Sequence, residues 1–260
     1  MKNFYKRLKS EIKYFKTKNW TLKEIGDFWD SIDDYDEINS KVYPYKERFI
    51  NSKKLFQDLK LKNFIPKNCL DIQTRTGNGT IYWNEFFPNL DFSIADFSAN
   101  FLKKSKKNLE EKNIFSNQYL IEKFPLPFDD KKFDLVLCYE TIEHISNYKE
   151  FFSELERITN NKGIIILTCP NYSWEIVHFI ASIFNINHSE GPHTFIKKKY
   201  IDEQIKKLNL TELNYNTTIF LPFNFNLSIK IDKILHRLLP NKIKEKIFLR
   251  HSYILQKNGF

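Results

Sequence analysis

Apolar runs of strand length, separated by segments with helical spacing, set what this chain can fold into. They are CLDI (69–72), DFSIAD (91–96), NQYLIE (117–122), FDLVLCYE (133–140) and GIIILTCP (163–170). A glycine turn and helix follow the first, a Ser-led helix spans 99–112, and 148–159 repeats apolar residues every three or four positions. Strands of buried rather than alternating pattern, each followed by a helix, predict a parallel sheet covered on both faces. Farther along, 197–208 and 227–239 read as helices and 213–220 and 252–256 as strands, which makes a late antiparallel pair and seven strands in all. The expected architecture is a doubly wound, mostly parallel α/β sheet.

Upstream, Phe4, Leu8, Ile12 and Phe15 form the stripe of an amphipathic helix over 4–16, and Phe49, Ile50, Leu55, Phe56 and Leu59 that of another over 47–61. An acidic, aromatic stretch lies between them. With no repeat and no flexible linker, the chain divides into an N-terminal helical cap (1–50) and a main domain (51–260). That domain has a ligand-binding core at 66–171 and substrate or lid elements at 172–250.

Composition removes several classes. The chain has 260 residues, 42% hydrophobic and 16% aromatic, which is enough apolar surface to build a core and excludes disorder. No run approaches the roughly 18 apolar residues of a membrane span; 176–186 is interrupted by His178 and Ser182. The basic start lacks an apolar signal segment, so a cytoplasmic protein is expected. Cys69, Cys138 and Cys169 sit singly in apolar runs and read as core thiols of a reducing compartment.

The net charge of +9 belongs to the ends. Residues 1–23 carry eight Lys/Arg against one acid, 222–260 eight against two, and the remainder 25 against 29. The basic ends read as solvated lysine faces, with no RNA-binding module signature, so a nucleic-acid partner is not expected. The helix at 227–239 has a stripe of Leu227, Ile231, Ile234, Leu235 and Leu238 beside Lys230, Lys233 and Arg237. Such a helix either packs on the core as a lid or lies on an anionic membrane, at its inner face.

In an open parallel sheet, ligands bind beyond the C-terminal strand ends, where strand order reverses. That singles out Asp71–Gly79, Asp96, Glu122 and Tyr139–His144. The turn DIQTRTGNGT brings backbone N–H groups and a helix start toward a ligand, in a chain with 6 Gly where about 18 would be average. Asp96 lies where an acid could accept hydrogen bonds from two ribose hydroxyls.

The succession CLDIQTRTGNGT, IADFS, IEKFPLPFDDKKFDLVLCYETIEHI and ELERITNNKGIIILTCPN over 69–171 resembles the class I S-adenosylmethionine-dependent methyltransferases. The similar branch reads roughly LDIGCGTG, VDIS, LPFPDxSFD, EHxxD, ELxRVLKPGG and STPN. The resemblance implies a Rossmann-like fold and S-adenosyl-L-methionine as cofactor. By position, Asp71 and Gly77 would belong to the loop around its methionine part. Asp96, with Phe97 beside it, would hold the ribose, and Glu122, with Lys123 and Phe124, would hold the adenine amino group. Leu126, Pro127 and Phe128 would flank the adenine, and Tyr139 and Glu140 would lie beside the methyl group. The family's first two loop glycines are Gln73 and Arg75 here. Arg75 could pair with the cofactor's carboxylate, with Asp71 or with Glu140; alternatively the pocket no longer takes the cofactor.

Glu140, Glu143 and His144 resemble the segment with which ubiquinone-pathway O-methyltransferases can bind a divalent cation, but similar segments occur without metal, and none is expected here. His144 is the first candidate for a general base, with a loop-strapping role as its alternative. His193, Tyr172 and Trp174 are candidates for the substrate side, and His188 reads as a surface residue. Pro170–Asn171 lacks the residue order used by many nucleic-acid amino-methyltransferases. The expected activity is methyl transfer to oxygen of a small or lipid-linked molecule. The rivals are a catalytically degenerate binding or partner subunit and an RNA or DNA methyltransferase.

Overall fold

The computed structural model describes residues 2–32, 35, 39, 42–61, 63–184, 186 and 189–259. Among them, seven strands form one sheet: β1 Asn68–Ile72, β2 Asp91–Asp96, β3 Ser116–Leu120, β4 Phe133–Tyr139, β5 Thr159–Pro170, β6 Leu210–Thr218 and β7 Arg250–Lys257. Across the sheet the order is β3-β2-β1-β4-β5-β7-β6. Pairing is parallel from β3 to β5, and β7 runs antiparallel to both neighbours, β5 and β6. Order therefore reverses between β1 and β4, which puts a crevice at their C-terminal ends.

The described helices are α1 Lys2–Lys16, α2 Leu22–Asp30, α3 Tyr43–Asp58, α4 Asn78–Asn84, α5 Ala99–Glu110, α6 Tyr148–Ile158, α7 Glu175–Ile183, α8 Lys198–Lys207, α9 Asn226–Leu238 and α10 Asn241–Ile247. α5 packs on β2 and β3, α3 on β6 and β7, α6 on β5 and α8 on β6. Burial on both faces explains the continuous strand pattern: Leu70, Ile72, Phe92, Ile94, Leu135, Leu137, Ile164 and Ile166 are fully enclosed. All three cysteines are buried free thiols.

Three local findings sharpen the sequence reading. α2 arises inside the acidic, aromatic stretch, started by a capping box in which the Thr21 hydroxyl accepts from the Glu24 N–H and the Glu24 carboxylate accepts from the Thr21 N–H. α3 runs unbroken across residue 50, where the cap was expected to end. α9 turns only part of its stripe toward the core, with Ile231 and Leu235 half-buried. Its buried residues are Ser228 and Asp232, while Leu227, Ile234 and Leu238 are 62%, 54% and 71% exposed. The cause is polar: Ser228 donates to the carbonyls of Phe223 and Phe225, Asp232 accepts from Phe220 and Leu221 N–H, and His236 meets Asn216 and the Thr217 carbonyl.

Candidate active site

After β1 the chain turns through residues 73–77 into α4. Gln73, Arg75 and Gly77 have φ of +53°, +52° and +84°, the left-handed region that suits glycine and strains other residues. Asp71 pins this turn: one carboxylate oxygen accepts from the Thr74 hydroxyl at 3.0 Å, the Thr80 N–H at 2.9 Å and the Thr80 hydroxyl at 2.8 Å. Burial pushes its carboxyl up to about 6, against the hydrogen bonds from Thr80 and Thr74.

Asp96, at the end of β2, is fully buried. One oxygen accepts the Arg75 N–H at 2.8 Å and the other the Ser98 N–H at 2.9 Å; burial pushes this carboxyl, too, up to about 6. Both oxygens expected to face ribose hydroxyls thus hold backbone. Phe97 is buried, and its carbonyl lies so close to α2 that a Cβ at Gly26 would collide with it.

Arg75 takes neither carboxylate partner that the sequence offered. Its Nη1 donates to the Tyr139 carbonyl at 2.9 Å and its Nη2 to the Glu140 carbonyl at 2.6 Å. The guanidinium lies 5.7 Å from the Trp29 ring and 5.9 Å from the Tyr35 ring. The Glu140 carboxylate instead pairs with Arg250, Oε1 to Nε at 3.0 Å, and Arg250 Nη1 donates to the Pro44 carbonyl at 2.7 Å. Burial alone would raise the Glu140 carboxyl, but Arg250 and Arg48 hold it below the ordinary range. The Tyr139 hydroxyl accepts from the Trp83 indole at 2.7 Å.

On the 3-10 turn Ile142–His144, burial and then the charge of Glu140 raise the Glu143 carboxyl well above the ordinary range. His144 is buried, with Nδ1 3.1 Å from the Pro192 carbonyl and its ring 5.5 Å from Trp29; burial lowers it to about 3. Among the described residues, no three His, Cys, Asp or Glu side chains are grouped so as to hold a metal ion. Glu122 and Lys123 are exposed and Phe124 is half-buried. The following turn is fastened by Glu154, which accepts the Leu126 N–H at 2.6 Å, and by Arg157.

On the proposed substrate side, His193 is buried, with Nδ1 2.8 Å from the Gly191 carbonyl and its ring 6.4 Å from that of His144. Trp174 faces elsewhere, its indole donating to the Ile247 carbonyl at 2.9 Å. Tyr172 carries Lys197 over its ring at 4.6 Å. It lines a cavity of about 320 Å³ together with Lys18, Ile145, Tyr148, Phe195 and Lys197. His188 lies outside the described residues.

Whether S-adenosyl-L-methionine fits can be tested on volume and on polar partners. Gln73 Oε1 and Nε2, Arg75 Nε, Glu143 Oε2 and His144 Nε2 are buried without a hydrogen-bond partner, the mark of a place that lacks a polar ligand or water. The room, however, is filled. The space bounded by Tyr45, Asp71, Gln73, Arg75 and Tyr139 amounts to about 10 Å³, about one water's worth, whereas ligand pockets are typically ~300 Å³ or more. In this arrangement the turn after β1 has no room for the methionine part of the cofactor. Trp29, Asp30 and Tyr35 of the cap, together with Arg48 and Arg250, shape the crevice, and sequence reasoning missed all five. The available signal was T-L-K-E at 21–24, a capping box announcing a helix that carries Trp29.

A methyltransferase domain family matches residues 70–167. An uncharacterised protein of Methanocaldococcus jannaschii is 31% identical over 242 residues, 90% of this chain and 97% of its own. The ubiquinone biosynthesis O-methyltransferase of Rickettsia bellii is 25% identical over 197 residues, 73% of this chain and 79% of its own. Among solved structures, the geranyl diphosphate C-methyltransferase of Streptomyces coelicolor, in complex with S-adenosyl-L-homocysteine, superposes with a TM-score of 0.63 at 11% identity, covering 92% of this chain and 97% of that one. Residues 70–167 thus belong to a methyltransferase domain family, and the sheet order is that of the class I S-adenosyl-L-methionine-dependent methyltransferase fold.

Proposed function

We propose that the protein methylates an oxygen atom of a small or lipid-linked molecule, in the cytoplasm and at the inner face of a membrane. The observation that carries this reading is the cavity of about 320 Å³ beside the turn that follows β4. Its volume suits a small organic acceptor. Its tyrosines and isoleucine suit a planar or prenyl-like body, and Lys18 and Lys197 suit an acidic hydroxyl or carboxylate. The Rickettsia relative, named for ubiquinone biosynthesis, supports oxygen as the acceptor atom. His144 supports the cavity by strapping its loop through the contact of Nδ1 with the Pro192 carbonyl; it does not line the cavity, and burial that lowers it to about 3 makes it a weak proton acceptor.

The exposed part of the α9 stripe supports the membrane part. Leu227, Ile234 and Leu238 are exposed next to Lys230, Lys233 and Arg237, while Asp232 is turned inward, a distribution that matches an anionic bilayer surface. No described helix is long and apolar enough to cross one.

Incubation with methyl-labelled S-adenosylmethionine and catechol, or a membrane lipid extract, tests the activity. Label in an ether-linked methyl group of an extractable product is the expected result. Label confined to RNA, DNA or protein would overturn the acceptor class.

A further inference from the structure

The family's cofactor and this crevice disagree over space rather than over chemistry. The polar groups are in place, but the volume is held by the chain's own residues. We infer that Arg75 and Trp29 are resident occupants of the cofactor crevice, and that α2 must leave before S-adenosylmethionine can enter. This rests on the methyltransferase reading.

Two contacts hold the occupants. First, Arg75 bridges the carbonyls of Tyr139 and Glu140 at the end of β4, taking up both acceptors. The side chain springs from a backbone with φ of +52°, so the loop keeps a glycine conformation while projecting a guanidinium into the space a glycine would leave open. Second, α2 is latched over the N-terminus of α5. Asp30 accepts from the Ser98 hydroxyl and from the Asn100 N–H, and its carbonyl accepts from the Asn100 side chain. Gly26 lies flat on the Phe97 carbonyl with no room for a methyl group. Between these anchors the Trp29 ring enters the crevice, 5.8 Å from Phe101 and 5.5 Å from His144. The indole lies 5.7 Å from the Arg75 guanidinium, so α2 backs the arginine that fills the crevice, and Asp96, which accepts the Arg75 N–H, is fully buried. Binding then follows a population rule: apparent affinity falls in proportion to the fraction of molecules whose cap is open.

The full chain and three variants, Gly26→Ala, Asp30→Ala and Arg75→Gly, separate the outcomes. The first wedges α2 off Phe97, the second cuts the latch at a helix end without touching the core, and the third removes the occupant. Calorimetry with S-adenosylhomocysteine is expected to give binding at least ~10-fold tighter for Asp30→Ala and for Arg75→Gly than for wild type, with Gly26→Ala in the same direction if it folds. In stopped-flow mixing, the wild-type association rate is expected to level off as ligand rises, because opening limits it. Hydrogen exchange is expected to speed up across residues 22–30 on adding S-adenosylhomocysteine while slowing across 73–80, a pattern that simple stabilisation by a ligand does not produce. Equal affinities, an association rate linear in ligand and α2 amides that slow on binding would overturn the inference and leave the methyltransferase reading standing. No binding by any of the four proteins at millimolar ligand would overturn both.

Discussion

Gln73 and Arg75 share a left-handed backbone but differ in what their side chains gain from it. Arg75 offsets the strain with two hydrogen bonds to carbonyls. Gln73 is buried with both ends of its amide unpartnered. Gln73→Gly therefore relieves backbone strain and removes two buried unsatisfied groups, and is expected to stabilise the protein by about 1 kcal/mol in urea titration. Ionisable groups at the same depth predict a pH profile. His144 and His251 are lowered by burial to about 3 and about 4, below the ~6.5 of an unfolded histidine. The unfolded chain binds more protons there, so this contribution is complete above about pH 6.5 and is lost as pH falls toward the folded values. Asp71 and Asp96, raised to about 6, act in the opposite sense: their contribution is complete below about pH 4 and is lost as pH rises through 6. The two effects oppose each other between pH 4 and 6. His144→Gln is expected to lose less stability than wild type as pH drops from 6.5 to 4, followed by chemical denaturation at each pH.

At the scale of elements, legibility followed the source of each signal. β1, β2, β4 and β5, enclosed on both faces, announce themselves by continuous apolar runs, whereas the edge strand β3 is largely exposed; the antiparallel pair at the end followed from the two late strands. α2 was hidden because one buried face of Leu22, Ile25 and Trp29 lies among acids, and its capping box was the surer sign. α9 was readable as a helix but not in orientation. Hydrophobic spacing assigns a face, and only the hydrogen bonds of Ser228, Asp232 and His236 to residues 216–225 reveal that this polar row turns inward while the lysines stay exposed. That arrangement gives a prediction: the protein should sediment with vesicles containing phosphatidylglycerol and not with pure phosphatidylcholine. Lys230→Glu, Lys233→Glu and Arg237→Glu combined should release it, since each basic residue near an anionic surface is worth about 1 kcal/mol. Sedimentation unchanged by the triple substitution would remove the membrane assignment.

Across the whole molecule, the candidate site was legible only in part. Asp71, Asp96, Tyr139 and Glu140 lie at the strand ends where the topology puts a crevice, but the occupants reach it from far away in sequence: Trp29 and Asp30 from the cap, and Arg250 from β7. Such contacts leave no local pattern. Arg250 ties β4, β7 and the start of α3 together through Glu140 and the Pro44 carbonyl. Arg250→Met would leave the half-buried Glu140 carboxylate with Arg48 as its remaining cation and is expected to cost up to about 3 kcal/mol, read from denaturant midpoints. β7 carries a further consequence, for how the protein is made. It separates β6 from the rest of the sheet, so on the ribosome β6 is complete while β7, its strand partner among the described residues, has yet to be synthesised, with residues 219–249 still to come. Throughout that interval its backbone N–H and C=O groups offer an open edge to any other extended chain. The nascent protein, more than the finished one, is then the species that needs a chaperone.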